Sequence, residues 1–131
     1  MDVDKAFLNA PNDAKIYMVV PEGYKKQTQF GQKVVCKMNK SLYGMKQSSH
    51  NWNHVLHEWL NSIGFTQTKS DPCVYVSKVD NDIYLLMVYV DDMILTGPRL
   101  QCIDDVKRKL QGKFKIKDLG QVEWMLGISV S

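Results

Sequence analysis

The stretch Ile83-Tyr-Leu-Leu-Met-Val-Tyr-Val-Asp-Asp-Met-Ile-Leu-Thr-Gly97 sets two adjacent carboxylates, Asp91 and Asp92, between two strongly apolar runs. Runs of β-branched, aromatic and leucine side chains read as buried strands, and a two-residue break between them predicts a tight hairpin. Two-residue hairpin turns favour Asn-Gly or Asp-Gly, because their central residues need positive φ. Asp-Asp does not meet that preference. Two like charges at the mouth of an apolar ribbon repel each other unless a cation neutralises them. Paired carboxylates on rigid strands suit Mg²⁺, which takes one or two carboxylates and keeps positions for water and phosphate. The hairpin is therefore the first candidate site.

Working outward, Cys73 to Val79 is predicted as a strand forming a hairpin with Ile83–Val90 across Asp80-Asn-Asp82. Downstream, a helix is expected from about Leu100 to Gly112, with Ile103, Val106 and Leu110 inward. Asp104-Asp105 is expected in its first turn, complementing the helix dipole without a metal. Upstream, Trp52, Val55, Leu56, Trp59, Leu60 and Ile63 recur at helical spacing, so Ser48 to Ile63 is predicted helical. Ser48 or Ser49 is expected to cap its start and Gly64 its end. Ile16–Val20 and Lys33–Met38 read as two strands joined by a Pro-Glu-Gly turn and a polar loop. Met1 to Lys5 reads as a strand end and Val122 to Val130 as a last strand. Two helices among antiparallel strands predict an α+β fold, a sheet covered on one face.

The chain has 131 residues, enough for about one domain with one modest core. It holds no apolar run of about 18 residues and no secretory leader, so an intracellular, non-membrane protein is expected. Cys36, Cys73 and Cys102 are far apart, which argues against a disulfide framework or a zinc knuckle. The net charge of +3 is compatible with a polyanion partner without requiring one. Positive charge gathers at Lys107, Arg108, Lys109, Lys113, Lys115 and Lys117, and more loosely at Lys25, Lys26, Lys33, Lys37, Lys40 and Lys46. Such groups are solvated faces or tracks for a phosphate backbone.

His50, His54 and His57 share one helical stripe, but opposite the apolar one, so they are expected in solvent rather than on a metal. Asp2 differs. A carboxylate on one strand end, placed beside a neighbouring Asp-Asp hairpin, would complete a three-carboxylate cage for two divalent ions.

These residues form part of an ordered series. Met1-Asp-Val-Asp-Lys-Ala-Phe-Leu-Asn9, Ile16-Tyr-Met-Val-Val-Pro-Glu-Gly-Tyr24 and Cys36-Lys-Met-Asn-Lys-Ser-Leu-Tyr-Gly-Met-Lys-Gln-Ser48 come first. Ser70-Asp-Pro-Cys-Val-Tyr75, Tyr84–Gly97, Phe114-Lys-Ile-Lys-Asp-Leu-Gly120 and Leu126-Gly-Ile128 follow. The series resembles the reverse transcriptase of copia-type LTR retrotransposons over nearly the whole chain. The resemblance implies a polymerase palm-like (ferredoxin/RRM-like) sheet with two helices on one face, truncated at both ends. Fingers, thumb and RNase H would then lie outside residues 1–131.

The resemblance also implies roles. Asp2, Asp91 and Asp92 would bind two Mg²⁺ ions, with Mn²⁺ as a possible substitute, and Val3 would lend a backbone carbonyl. Phe7 falls where the family keeps an aromatic gate against the ribose 2′-hydroxyl. Tyr43, Gly44 and Lys46 belong to the loop meeting the incoming nucleotide and template, where Gly44 permits close backbone approach. Lys117, or as second choice Lys115, would sit near the pyrophosphate leaving group. Leu126, Gly127 and Ile128 would begin the primer grip. Partners would be an RNA or DNA template-primer, a dNTP and the rest of a Pol polyprotein, with a cytoplasmic, virus-like-particle location in the intact element. Two departures stand out: Ser49-His50 replaces a usual Pro-Arg, and Ala10 a usual Gly. The expected function is RNA-directed DNA polymerase within a longer product. The alternative is an inactive retrotransposon remnant with weak nucleic-acid binding. A two-metal nuclease is disfavoured by the nucleotide-loop and primer-grip blocks.

Overall fold

The apolar run before Asp91 forms the long strand it predicts. In the computed structural model, which describes residues 1–24 and 34–130, β5 (Val74–Val79) pairs antiparallel with β6 (Asp82–Tyr89). Val79 stands opposite Asp82, so the turn is Asp80-Asn81, with Asp80 at φ +56°. β6 then pairs with β7 (Asp92–Thr96), from Leu85 opposite Thr96 to Tyr89 opposite Asp92.

The second turn is therefore Val90-Asp91, and Asp92 is the first residue of the returning strand. The expected Asp91-Asp92 turn is one residue out. Register explains the shift: Tyr84, Leu86, Val88 and Met93 are all buried and must share one face, and a period of two then sets Asp92 opposite Tyr89. The consequence is local strain. Val90 is β-branched yet sits at φ +54°, a left-handed conformation costing about 1–3 kcal/mol.

The main sheet has the order β4-β5-β6-β7-β1-β8, where β4 is Thr66–Gln67, β1 is Asp2–Val3 and β8 is Ile116–Lys117. The first and nearly last strands thus lie side by side next to β7. β2 (Tyr17–Val19) and β3 (Val35–Lys37) form a separate exposed hairpin in register Met18 opposite Cys36. The Pro21-Glu-Gly turn is present, closed by a 3.2 Å bond from Tyr24 N–H to the Pro21 carbonyl, with Gly23 at φ +85°. The polar loop that follows, with Lys25, Lys26 and Lys33, lies outside the described residues.

Two helices cover one face of the sheet, as an α+β fold requires. α1 spans Ser48–Ser62 and α2 spans Leu100–Lys113. Trp52, Leu56 and Leu60 from α1 and Ile103 and Leu110 from α2 join Val3, Tyr75, Tyr84, Leu86, Val88 and Met93 in one buried cluster. Phe114 links the helices, meeting the rings of Trp52 and Trp59 edge-on at 5.2 and 5.4 Å. Gly64, at φ +92°, ends α1 as expected.

Three local expectations fail. Neither Ser48 nor Ser49 caps α1: Gln47 is the capping residue without a side-chain bond, and the Ser48 hydroxyl donates to the Leu42 carbonyl instead. No acidic residue lies in the first turn of α2: the helix starts at Leu100 as expected, which leaves Asp104 and Asp105 beyond that turn, and Asp105 pairs with Arg108. Val122–Val130 is not one strand. It folds as a hairpin of β9 (Trp124–Met125) and β10 (Ile128–Ser129) about Leu126-Gly127, whose φ values of +51° and +80° suit a two-residue hairpin turn. The histidine stripe splits: His50 and His54 are exposed, while His57 is half-buried and contacts the Tyr75 hydroxyl at 3.3 Å. The three cysteines are free, and among the described residues no helix is long and apolar enough to cross a membrane.

Candidate active site

β1 is short, but it joins two distant segments. Asp2 stands opposite Asp92 on β7 and opposite Lys117 on β8. On either side the ladder is hydrogen-bonded: Val3 N–H donates to the Asp91 carbonyl at 2.8 Å, and Met93 N–H to the Met1 carbonyl at 2.9 Å. Asp2 and Asp92 are thus the close, non-hydrogen-bonded pair, with Cβ atoms about 4.5–5.5 Å apart. Their neighbours Val3 and Met93 are buried against the helices, so strand alternation points Asp2, Asp92 and Lys117 to the opposite face. Two carboxylates and an amine from three strands meet at one sheet end.

Asp91, on the Val90-Asp91 turn, is held by α1 and by Tyr43. The Trp52 indole N–H donates to the Val90 carbonyl at 2.7 Å, fixing the strained turn. The Tyr43 hydroxyl donates to Asp91 Oδ2 at 3.3 Å. Burial first, then the Asp91 charge, holds the Tyr43 phenol above its ordinary pKa, so it stays a donor at neutral pH.

Tyr43 is positioned by a small ring contact and a buried polar network. Phe7, in a 3₁₀ turn over Ala6–Asn9, meets the Tyr43 ring with centroids 4.4 Å apart and planes tilted by 52°. Ala10 sits fully buried at φ −99°, a conformation any residue adopts. Buried Asn51 on α1 donates to Ser41 Oγ at 3.3 Å, and Asn12 donates to the carbonyls of Met38 and Lys40 at 3.0 and 3.1 Å. These bonds hold the loop before α1. Gly44 lies at φ +86° with open space where a Cβ would go, so the left-handed backbone itself calls for glycine. Lys46 is exposed two residues on.

The two lysine candidates separate. Lys115 Nζ pairs with Asp4 at 2.8 Å, which pulls Asp4 below and pushes Lys115 above their ordinary values. Lys117 faces Asp2 and enters no ion pair found among the described residues. Leu126 and Gly127 form the β9–β10 turn and Ile128 begins β10, with Leu126 and Ile128 exposed. Their neighbours Trp124 and Met125 line a cavity of about 570 Å³ together with Asp92, Met1 and Lys107.

The donor set fits a hard divalent cation in its chemistry, since all three carboxylates offer oxygen at one sheet end. The geometry fits in part. Asp2 and Asp92 are adjacent, whereas among the described residues no three His, Cys, Asp or Glu side chains converge closely enough to hold a metal ion. Sequence reasoning missed Trp52 as the anchor of the turn, although its aromatic NH among inward-facing positions is the kind of group that needs a buried acceptor.

An α+β domain with carboxylates from separate strands at one sheet end defines the class to which this chain is assigned by comparison. Residues 1–131 match the family described as reverse transcriptase (RNA-dependent DNA polymerase), and the chain belongs to it. It is 39% identical over 132 residues to a retrovirus-related Pol polyprotein from transposon TNT 1-94 of Nicotiana tabacum, covering 99% of this chain and 10% of that protein. It is 33% identical over 128 residues to the Pol polyprotein from transposon RE1 of Arabidopsis thaliana, covering 98% and 9%. A putative transposon Ty5-1 protein of Saccharomyces cerevisiae is 32% identical over 130 residues, 99% of this chain and 42% of that one. The resemblance to copia-type retrotransposon proteins carried by the motif series therefore holds. The chain spans less than half the length of these relatives. No solved structure matches it.

Proposed function

We propose that this chain is the palm of an RNA-directed DNA polymerase belonging to a retrotransposon Pol polyprotein. It transfers a nucleotidyl group from a dNTP to a primer 3′-hydroxyl, with pyrophosphate leaving, when longer flanking segments supply fingers and thumb. The observation that carries this reading is the register of three strands. Asp92, Asp2 and Lys117, widely separated in sequence, stand side by side on the sheet face away from the helices.

In this reading Asp2, Asp91 and Asp92 would hold two Mg²⁺ ions, with Mn²⁺ as substitute, assisted by the Val3 carbonyl. Such ions, when bound, would supply charge neutralisation at the attacking oxygen and the leaving pyrophosphate. The chain's own residues do the positioning. Lys117 faces the developing negative charge of the leaving group. Phe7 walls the sugar edge and discriminates against a ribose 2′-hydroxyl. Tyr43, Gly44 and Lys46 border the nucleotide, and the β9–β10 hairpin with Leu126–Ile128 contacts the primer. Little covalent work falls to the protein, so orientation and electrostatics dominate.

Two arms test the reading. In a Pol polyprotein carrying these 131 residues, Asp92→Asn and Asp2→Asn should each abolish divalent-ion-dependent extension of a DNA primer on poly(rA). Loss of one such electrostatic element costs several kcal/mol, about 10²-fold or more in rate. Extension at the unsubstituted rate in either variant would sink the assignment. For the 131-residue chain alone, salt-sensitive primer–template binding without extension is expected.

A further inference from the structure

The main sheet has a second face that the buried core does not use. Alternation along β5, β6 and β7 sends Tyr75, Leu86, Val88 and Met93 toward the helices. The same alternation sends Val74, Val76, Leu85, Met87 and Ile94 to the other side, and none of these five belongs to the core cluster or packs against it. Strand register makes them one patch: Val74 stands opposite Met87, Met87 opposite Ile94, and Val76 opposite Leu85. We propose that this patch is an interdomain face, covered in a longer Pol polyprotein by the polypeptide that continues from β10. The inference rests on the reading of the chain as part of such a polyprotein and gives it a docking surface apart from the carboxylates.

The strands themselves call for a cover. An antiparallel sheet with one wet face alternates apolar and polar residues, whereas strands buried on both faces read as continuous apolar runs. β6 is of the second kind, since both alternating sets from Ile83 to Tyr89 are apolar. Yet Val74, Val76, Leu85, Met87 and Ile94 are only half-buried. A contiguous apolar patch left open in this way marks an interaction surface.

The chemistry of the patch selects polypeptide over nucleic acid. Its charged neighbours stand at its ends, Lys78 opposite Ile83 and Asp92 opposite Tyr89. The middle, formed by the five apolar residues, offers a phosphate backbone no cation. Placement then selects the polypeptide after β10. Trp124 and Met125 of β9 share the cavity of about 570 Å³ with Ile94 and Thr96, so the hairpin already stands at the β7 margin of the patch. Leu126, Ile128 and Val130 are exposed, as a second layer only one hairpin wide would leave them. Polypeptide leaving this hairpin reaches the patch as a tethered partner, at an effective concentration of about millimolar for a short connection. The relatives have polypeptide to spare: the match covers 10% of the TNT 1-94 polyprotein and 9% of the RE1 polyprotein.

The test is oxidation of methionines by hydrogen peroxide, read residue by residue by mass spectrometry. Met87 lies on the patch, while Met93, 1% exposed on the helix face, reports that the fold is intact. In the 131-residue chain Met87 should oxidise at least about tenfold faster than Met93, which reacts only through local opening. In a Pol polyprotein carrying these residues, and in a version of it starting at Met1, Met87 should slow to the Met93 rate. In a version ending at Ser131 it should stay fast. Leu85→Lys in the polyprotein should restore fast oxidation of Met87 while Met93 stays protected.

Oxidation of Met87 as fast in the polyprotein as in the 131-residue chain overturns the inference, and so does protection in the version ending at Ser131. Protection within the 131-residue chain that grows with protein concentration gives the patch to a second copy and overturns it too. Protection that needs added primer–template gives it to nucleic acid, with the same result. A polyprotein that protects Met87 but extends no primer keeps this face and loses the polymerase reading; extension without protection does the reverse.

Discussion

The indole N–H of Trp52 donates a 2.7 Å hydrogen bond to the carbonyl of Val90. It ties the second turn of α1 to the strained hairpin that carries Asp91, across 38 positions of sequence. Val90 sits at φ +54°, where a β-branched residue is held only if its surroundings over-determine it. Trp52→Phe keeps an aromatic ring against Phe114 and removes the bond. A partly buried carbonyl left without its donor costs about 1–2 kcal/mol. Urea denaturation should show a lowered midpoint with an unchanged slope, and an unaltered midpoint would refute the anchoring role.

Gly97, which follows β7, is set by packing. A Cβ there would lie 2.1 Å from Cδ1 of Tyr84, a side chain buried in the core. The Tyr84 ring is buried, so Gly97→Ala should destabilise by about 3 kcal/mol, the upper end for overpacking. Gly112, near the end of α2, is the contrast, with nothing within 4 Å of its would-be Cβ. Gly112→Ala should stabilise by about 0.5–1 kcal/mol, since glycine pays more entropy in a helix. Thermal melts of both variants check the pair, and a destabilised Gly112→Ala would contradict it.

Asp118 makes stability acid-sensitive in one direction. The hydrogen bond from Lys107 at 2.9 Å, then the Gly120 N–H, lowers its pKa below the ordinary 3.8. A carboxyl depressed in the folded state contributes stability above its unfolded pKa, and that contribution fades as pH falls through the folded value. Asp118→Asn should therefore melt lower than the unsubstituted chain at pH 7, by a few degrees, since a part-exposed pair is worth about 1 kcal/mol or less. The difference should shrink well below pH 3.8. A gap that stays constant from pH 7 to pH 2 would rule out the ion pair as its source.

Lys115 and Lys117 are two residues apart and should behave oppositely toward a nucleotide. Lys115 is engaged with Asp4, while Lys117 faces Asp2. Lys117→Ala should weaken binding of Mg²⁺–dTTP, followed by ³¹P NMR, by about tenfold, as for loss of a charge contact worth over 1 kcal/mol. Lys115→Ala should leave it within about twofold, the spread expected for an exposed charge. Equal effects from both would remove the distinction.

Much of the fold was legible because its elements advertise themselves locally. The 3.6-residue recurrence from Trp52 to Ile63 and from Ile103 to Leu110 gave both helices, and the apolar runs at 74–79 and 83–90 gave the central strands. Boundaries were less legible. The Asp-Asp turn, the serine caps and the single last strand all failed where a one-residue register, a capping bond or a positive φ decides the outcome. Leu126 at φ +51° is not foreshadowed by its residue type.

By itself, then, the sequence determined the α+β class and the reverse transcriptase family, because periodicity and ordered motifs are written along the chain. Only tertiary structure decided which carboxylates are neighbours: Asp2 with Asp92 through backbone pairing, and Asp91 with Tyr43 through a hydroxyl. It also gave the lysines different surroundings, since strand register puts Lys117 opposite Asp2 while the side chain of Lys115 pairs with Asp4. For the neighbours of Asp2 the physical reason is long-range strand pairing. Strand pairing brings together residues more than 80 positions apart, and no local preference of either residue records its partner across the ladder.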